Sequence, residues 1–336
     1  MAKELRIKNG KVFDPTNNID GVIGDISISD GRIVANVSDK AKTIDVQGMA
    51  VLPGGVDIHC HIAGPKVNLA RKLLPEDHRL DPHPSTKHTR SGVGGIVPST
   101  FATGYRYATL GYTTAMEAAV PPLVARHVLE ELYDTPVIDT GYYVLLGNNI
   151  FLQKLIKQKK KKDFKDAVAW WLNASKGYTT KLVNPGGDEP WKGSKNKNVK
   201  DIDEESDMVD VSPRQVIEAF IVAVNDLNLP HPPHIHCNNL GHSGNFNTTL
   251  ETMKTAGDQR VHIAHIQFNS YAGEVGSNPL SAAREIIEYI NEHKNITCDV
   301  GQVMFGKAAF MTADAPLTYL LRDFNNRKWV NADTEC

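Results

Sequence analysis

Cysteine is scarce in this chain: Cys60, Cys237, Cys298 and Cys336 lie far apart and never in C-x-x-C spacing. Such an arrangement signals neither a disulfide framework nor an iron–sulfur cluster. Long apolar runs are missing as well. The N-terminus, MAKELRIKNG, has no apolar signal-peptide core, and no stretch reaches the ~18 apolar residues that a membrane span needs. Neither secretion nor membrane insertion is expected, and a cytoplasmic location is. Neither sign of charge dominates: the formal net charge is -2, which excludes the global basic field of a nucleic-acid binder. No Gly-rich turn after a strand announces a dinucleotide site. What is present is an ordinary globular composition, 41% apolar and 23% charged, in a chain of 336 residues that can bury a large core. Histidine carries the chemical interest.

Residues 1–52 alternate apolar and polar positions in LRIKNGKVF, GDISISDGRIVANV and TIDVQGMAV, punctuated by Asn-Gly, Asp-Gly and Gln-Gly. They predict a small antiparallel β unit, part of an N-terminal β-sandwich. From residue 53 onward, strand and helix signals alternate, which predicts a parallel sheet with crossover helices. Seven strands are expected: VDIHCHI, GYTTAMEA, VIDTGYYVLL, GYTTKLVNP, HIHCNNL, RVHIAHIQF and NITCDVGQV. Ser212-Pro213 with Gln215 supplies an N-cap, a proline at N1 and a capping box. Leu280, Ala283, Ile287 and Ile290 are expected on one buried helix face. The run Lys157 to Lys162 reads as a solvated helix end, and residues 188–211 as an exposed loop.

The strongest local motif is Pro53-Gly54-Gly55-Val56-Asp57-Ile58-His59-Cys60-His61. A strand alternates its side chains, so His59 and His61 share a face, where they are either a metal-binding pair or two core histidines. Lys181 lies in a strand that should be largely buried, and a buried lone ammonium is costly. It either snorkels at the strand end or is carbamylated by CO2, which turns it into a carboxylate able to bridge two cations. The strands HIHCNN and VHIAHIQ add His234, His236, His262 and His265. Of these, His234 lies one layer deeper than His236, and His262 points opposite to His265 as a structural residue. His231, between prolines, reads as a surface loop residue; His78, His83 and His88 read as solvated loop histidines.

An antiparallel leader that ends in a PGGVDxHxH strand resembles the amidohydrolase superfamily. The resemblance implies a (β/α)8 TIM-type barrel in which His59 and His61 hold the more buried metal. It implies a carboxylated Lys181 ending strand four, with His236 and His265 as the histidines from strands five and six. Nitrogen ligands suit zinc, so two Zn2+ are expected, one to lower the pKa of a bound water and one to polarise the carbonyl under attack. Extended segments, among them PGGVDIHCHIAGPKVN, VPSTFATGYRYATLGYTTAMEAAVPPLVARH, HIHCNNLGHSGN and CDVGQVMF, are similar to the metal-dependent hydrolase subunits of formylmethanofuran dehydrogenases. That resemblance runs over essentially the whole chain. It implies condensation of formate with the amine of methanofuran, or the reverse hydrolysis, beside partner subunits that carry a tungsten or molybdenum pterin and iron–sulfur clusters.

Arg106 and Arg126 are candidate carboxylate-holding guanidiniums, with Arg126 more simply a surface helix residue. Asn184, Asn238 and Gln267 are expected to line the substrate pocket, and Lys66 and Asn68, just after the first strand, are further candidates. The superfamily's catalytic aspartate ends strand eight, which is expected after residue 336, and Asp333 lacks the strand context to replace it. The barrel is therefore expected to be truncated before its eighth strand, and the chain by itself inactive in formyl transfer. Rival readings are the hydrolytic subunit of a bacterial formyltransferase/hydrolase complex, a dihydroorotase-like cyclic amidase, and a truncated, non-catalytic scaffold.

Overall fold

The structure, a computed structural model, describes residues 3–73, 75–80, 82–87, 91–186, 199–205, 209–274, 278 and 280–301. The chain divides after Gly55 into two compact units. In the first, strand β1 (Glu4–Asp14) pairs antiparallel with β2 (Ile19–Ser29), and β2 with β3 (Arg32–Val34). Asp30 and Gly31 join the latter pair with φ of 49° and 77°, the left-handed conformations that a two-residue hairpin requires. Asn9-Gly10 is not a turn. It sits inside β1 where the register with β2 shifts, as a bulge. Strands β4 (Lys42–Asp45) and β5 (Ala50–Val51) pair with β1 in parallel. The unit is thus a mixed sheet rather than a purely antiparallel one, because alternation reports burial and not strand direction, and the connection after β3 lets the chain run back alongside β1.

The second unit contains all seven strands expected there: β6 (Gly55–Cys60), β9 (Tyr112–Val120), β10 (Asp139–Leu145), β11 (Thr179–Val183), β12 (His234–His236), β13 (Val261–Ile263) and β16 (Ile296–Cys298). They lie side by side in chain order, and the pairings from β9 through β16 are parallel. Two short ladders, β7 (Pro82–His83) with β8 (Gly92–Val93) and β14 (Tyr271–Ala272) with β15 (Leu280–Ser281), lie in the loops. If the large sheet were flat, six strand spacings of about 4.8 Å would hold β6 and β16 roughly 29 Å apart. Instead His59 Nδ1 of β6 lies 3.3 Å from Asp299 Oδ2, just past β16. The sheet therefore curls into an arc of a (β/α) barrel, and its edge strands meet across the interior.

Helices α1 (Pro65–Leu73), α2 (Thr100–Thr109), α3 (Ala125–Tyr133), α4 (Ile150–Lys157), α5 (Lys161–Ser175), α6 (Pro213–Asp226), α7 (Phe246–Thr255) and α8 (Ala283–Glu292) alternate with these strands. Val144, Leu152, Phe164, Val168, Phe220, Ile235 and Ile263 belong to one core cluster. The capping box forms as expected: Ser212 Oγ accepts from Gln215 N–H at 3.4 Å, and Gln215 Oε1 accepts from Ser212 N–H at 3.0 Å. Helix α8 departs from expectation. Leu280 precedes it in β15, Ile287 is 56% exposed, and Ile286 is the residue that packs inward. The Ile286-Ile287 doublet leaves the helical phase open by one residue, and the later helix start selects Ile286. Residues 188–211 are not wholly an exposed loop either, since Val199, Ile202, Val209 and Val211 are buried. Residues 187–198 and 206–208 lie outside the described residues. No described helix is long and apolar enough to cross a membrane.

Candidate metal centre

The period-two alternation of β6 sends His59 and His61 to one side, with ring centroids 5.6 Å apart. Between them the Cys60 thiol donates to the Met116 carbonyl. Parallel register aligns Lys181 of β11 with His234 of β12, His234 with His262 of β13, and His262 with Thr297 of β16. Register partners share a face, so these four side chains form one row opposite His59, whose Nδ1 is 2.9 Å from His234 Nε2. His236 stands two residues further along β12. Strand β13 ends at Ile263, and His265 adopts a left-handed φ of 35°, a conformation uncommon outside glycine. That turn brings His265 Nε2 to 3.2 Å from His236 Nδ1 and its ring to 5.1 Å from that of His59.

Two acids meet these rings. Asp299 Oδ2 lies 3.0 Å from His262 Nε2, 3.3 Å from His59 Nδ1 and 3.4 Å from His234 Nε2, and Oδ1 accepts the His265 backbone N–H. A carboxylate is acceptor-only, so His262 donates from Nε2, and its Nδ1 is left to accept from the Thr297 hydroxyl at 2.8 Å. Glu117 of β9, 1% exposed, approaches His61 Nδ1 at 2.9 Å.

Burial sets the electrostatics. Burial first, then the positive charge of Lys181, pushes His59 and His265 down to about 3, and the same causes hold His234 well below the ordinary imidazole value. His231, buried near His262 and Arg260, falls to about 4. Burial alone would raise the Asp299 carboxyl. Hydrogen bonds from His262 and His59 and from the His265 N–H outweigh it and hold the group well below the usual carboxylate range. At neutral pH His59, His231, His234 and His265 are thus uncharged imidazoles with lone pairs, beside a carboxylate and a lysine only 1% exposed.

The amidohydrolase family profile matches residues 42–335 of this sequence. The chain belongs to the amidohydrolase family. Among curated relatives of this amidohydrolase, protein FwdA of Methanocaldococcus jannaschii is 45% identical over 99% of the chain and 60% of its own length. A subunit of the formyltransferase/hydrolase complex Fhc of Methylorubrum extorquens is 38% identical over 96% of the chain and 58% of its own length. The chain spans about three fifths of each. A chain from the crystal structure of that complex (FhcABCD) with methylofuran superposes with a TM-score of 0.80 at 36% identity, covering 90% of this chain and 55% of that one.

The donor set of this amidohydrolase fits a borderline divalent cation such as zinc: neutral imidazole nitrogens beside carboxylate oxygen. His59, His234 and Asp299 already place donor atoms within 4.8 Å of one another. That trio shares only His59 with the set His59, His61, Lys181, His236 and His265 expected from the motifs. The structure brings all five of those residues to the same region and adds His234, His262 and Asp299 to them. His262 does not point away from the cluster, because alternation holds only while the strand stays extended, and the turn at His265 breaks it. Nor is His231 a plain loop residue: its ring stacks on Tyr143 at 5.1 Å, and its Nε2 lies 3.2 Å from His234 Nδ1.

The expected pocket residues fare differently. Asn238 is fully buried and donates to Asn184 Oδ1 and the Pro185 carbonyl, both at 3.1 Å, so these asparagines link the ends of β11 and β12. Gln267 closes on Gly301, donating to its carbonyl at 2.6 Å and accepting its N–H at 3.0 Å. Arg106 is exposed near the C-terminal end of α2 and donates to the Gly95 carbonyl at 2.8 Å. That end of α2 leads into the start of β9, whereas the histidines gather at the opposite, C-terminal strand ends, so Arg106 is not brought to the cluster. Arg126 pairs with Glu130 on the surface of α3. Asn68 donates to Glu131 at 2.7 Å. The side chains of Lys66 and His78, together with His88 and Asp333, lie outside what the structure describes. Asp299, Glu117 and His231 had no distinguishing local signal, being single polar residues in or beside segments that read as core strand or loop.

Proposed function

We propose that this chain is the amidohydrolase component of a formylmethanofuran dehydrogenase, acting on the N-formyl bond of formylmethanofuran at a two-zinc centre. The observation that carries the reading is the cluster of neutral imidazoles around Lys181, in a chain 45% identical to FwdA over 99% of its length. The higher identity to FwdA than to the Fhc relative, 45% against 38%, favours the dehydrogenase over the formyltransferase/hydrolase assembly. Partner subunits carrying a tungsten or molybdenum pterin and iron–sulfur clusters would then supply formate, and this chain would take no part in electron transfer.

The reaction balances without redox change: the formamide and water give formate and the primary amine, or the reverse. His59, His61, His236, His265 and a carboxylated Lys181 would hold the ions. Two zinc ions, when bound, supply Lewis acidity toward water and the formyl carbonyl. The protein's own groups set proton positions. Asp299 keeps the proton of His262 on Nε2, and the low basicity of the buried rings keeps their lone pairs free at neutral pH.

The test is formate release from N-formylmethanofuran by the protein within its native assembly, before and after chelation. Release that stops on chelation and returns with zinc supports the reading. Release indifferent to chelation contradicts it.

A further inference from the structure

Glu117 is the most deeply buried acid near the histidines, at 1% exposure in the second strand of the large sheet, beside β6. A carboxylate there is strongly disfavoured unless its oxygens are satisfied. Both are. Oε2 accepts the backbone N–H groups of Ile62 at 2.6 Å and Ala63 at 3.0 Å, and Oε1 faces His61 Nδ1 at 2.9 Å. The two main-chain bonds fix the plane and direction of the carboxylate without reference to any ligand. The group therefore meets His61 already oriented.

We infer that Glu117 is a positioning residue that holds His61 in its Nδ1–H tautomer and so presents the Nε2 lone pair to a metal ion; this rests on the metal-centre reading above. A carboxylate cannot donate, so the proton in the 2.9 Å contact belongs to Nδ1. With that nitrogen occupied, Nε2 is the one free to ligate. A carboxylate behind a ligating imidazole orients the ring and raises its basicity, and loss of such a partner typically weakens metal binding about 10- to 100-fold. The same carboxylate anchors the turn after His61 through Ile62 and Ala63, so ring direction and loop position are set together.

Glu117→Gln separates this role from a structural one. Glutamine has the same shape, and its carbonyl oxygen can keep both main-chain bonds. Its amide then donates toward His61 Nδ1, which drives the ring proton to Nε2 and blocks ligation. The full chain is used, metal-free and titrated with zinc against a chromogenic chelator, with histidine 15N spectra to locate the His61 proton. The expected results are an Nδ1–H His61 in the metal-free wild type, an Nε2–H His61 in the variant, and about 10- to 100-fold weaker zinc binding in the variant with an unchanged melting temperature. Equal zinc affinity in the two proteins overturns the inference alone, while zinc uptake by neither overturns the metal-centre reading with it. Should the variant not fold, an Nε2–H His61 in the wild-type spectrum still refutes the inference, and an Nδ1–H His61 supports it.

Discussion

Lys181 sets the sign of the charge at the middle of the histidine cluster. As an ammonium it depresses the basicity of His59, His234 and His265, and it would repel any cation those rings could bind. As a carbamate it would contribute a negative charge and a bridging pair of oxygens at the same place. Lys181→Ala is therefore expected to lower zinc occupancy from two per chain toward one or none, as measured by elemental analysis of the purified variant. Two retained zincs would rule out the carbamate. Legibility at this scale follows directly from physics. His59 and His61 could be read because strand alternation is local, and Lys181 because a cation in an apolar strand is anomalous in itself. Asp299 and Glu117 acquire meaning from partners far away in sequence, Glu117 and His61 being separated by 56 positions and Asp299 and His265 by 34, and His231 joins the cluster through His262, 31 positions on, as well as through nearby His234.

At the scale of elements, ends were legible and phases were not. Ser212, Pro213 and Gln215 specify a helix start because capping is satisfied within four residues, whereas the Ile286-Ile287 doublet of α8 offers two inward faces and the residue at which the helix starts decides between them. The approach of α2 to the segment before β10 was not legible either. It depends on Gly104, where an added Cβ would lie 2.1 Å from the Pro136 carbonyl oxygen and 2.8 Å from its nitrogen. Backbone cannot yield there as a flexible side chain would. Gly104→Ala is expected to destabilise the chain by about 1–3 kcal/mol, seen as a lower urea midpoint with an unchanged slope. An unchanged midpoint would show that α2 can shift without loss.

For the whole molecule, curling the sheet until its edges meet concentrates buried histidines in one place, and their protonation is then linked to folding. His59, His231 and His265 titrate near 3, 4 and 3 in the folded chain against an ordinary value of 6.5. Below pH 6.5 the unfolded chain takes up protons that the folded chain refuses, so stability declines as pH falls and levels off only near pH 3–4. Each such histidine contributes up to about 1.4 kcal/mol per pH unit in that window. The metal-free chain should thus show a melting temperature that drops steadily from pH 7 to pH 4; a flat profile would mean the rings are not buried as neutral species. The chain order of the seven strands was legible from their spacing, but the meeting of β6 with β16 was not, since closure is a property of accumulated twist rather than of any one strand.

On the proposed reading, formyl-bond chemistry would depend on the buried rings forming a two-zinc centre bridged by Lys181. Anomalous diffraction at the zinc edge, on crystals of the zinc-loaded protein, tests that centre most directly. The expected result is two peaks, one against His59 and His61 and the other against His236 and His265, with a carboxylated Lys181 reaching both. A single peak held by His59, His234 and Asp299, or no peak among these residues, would contradict it.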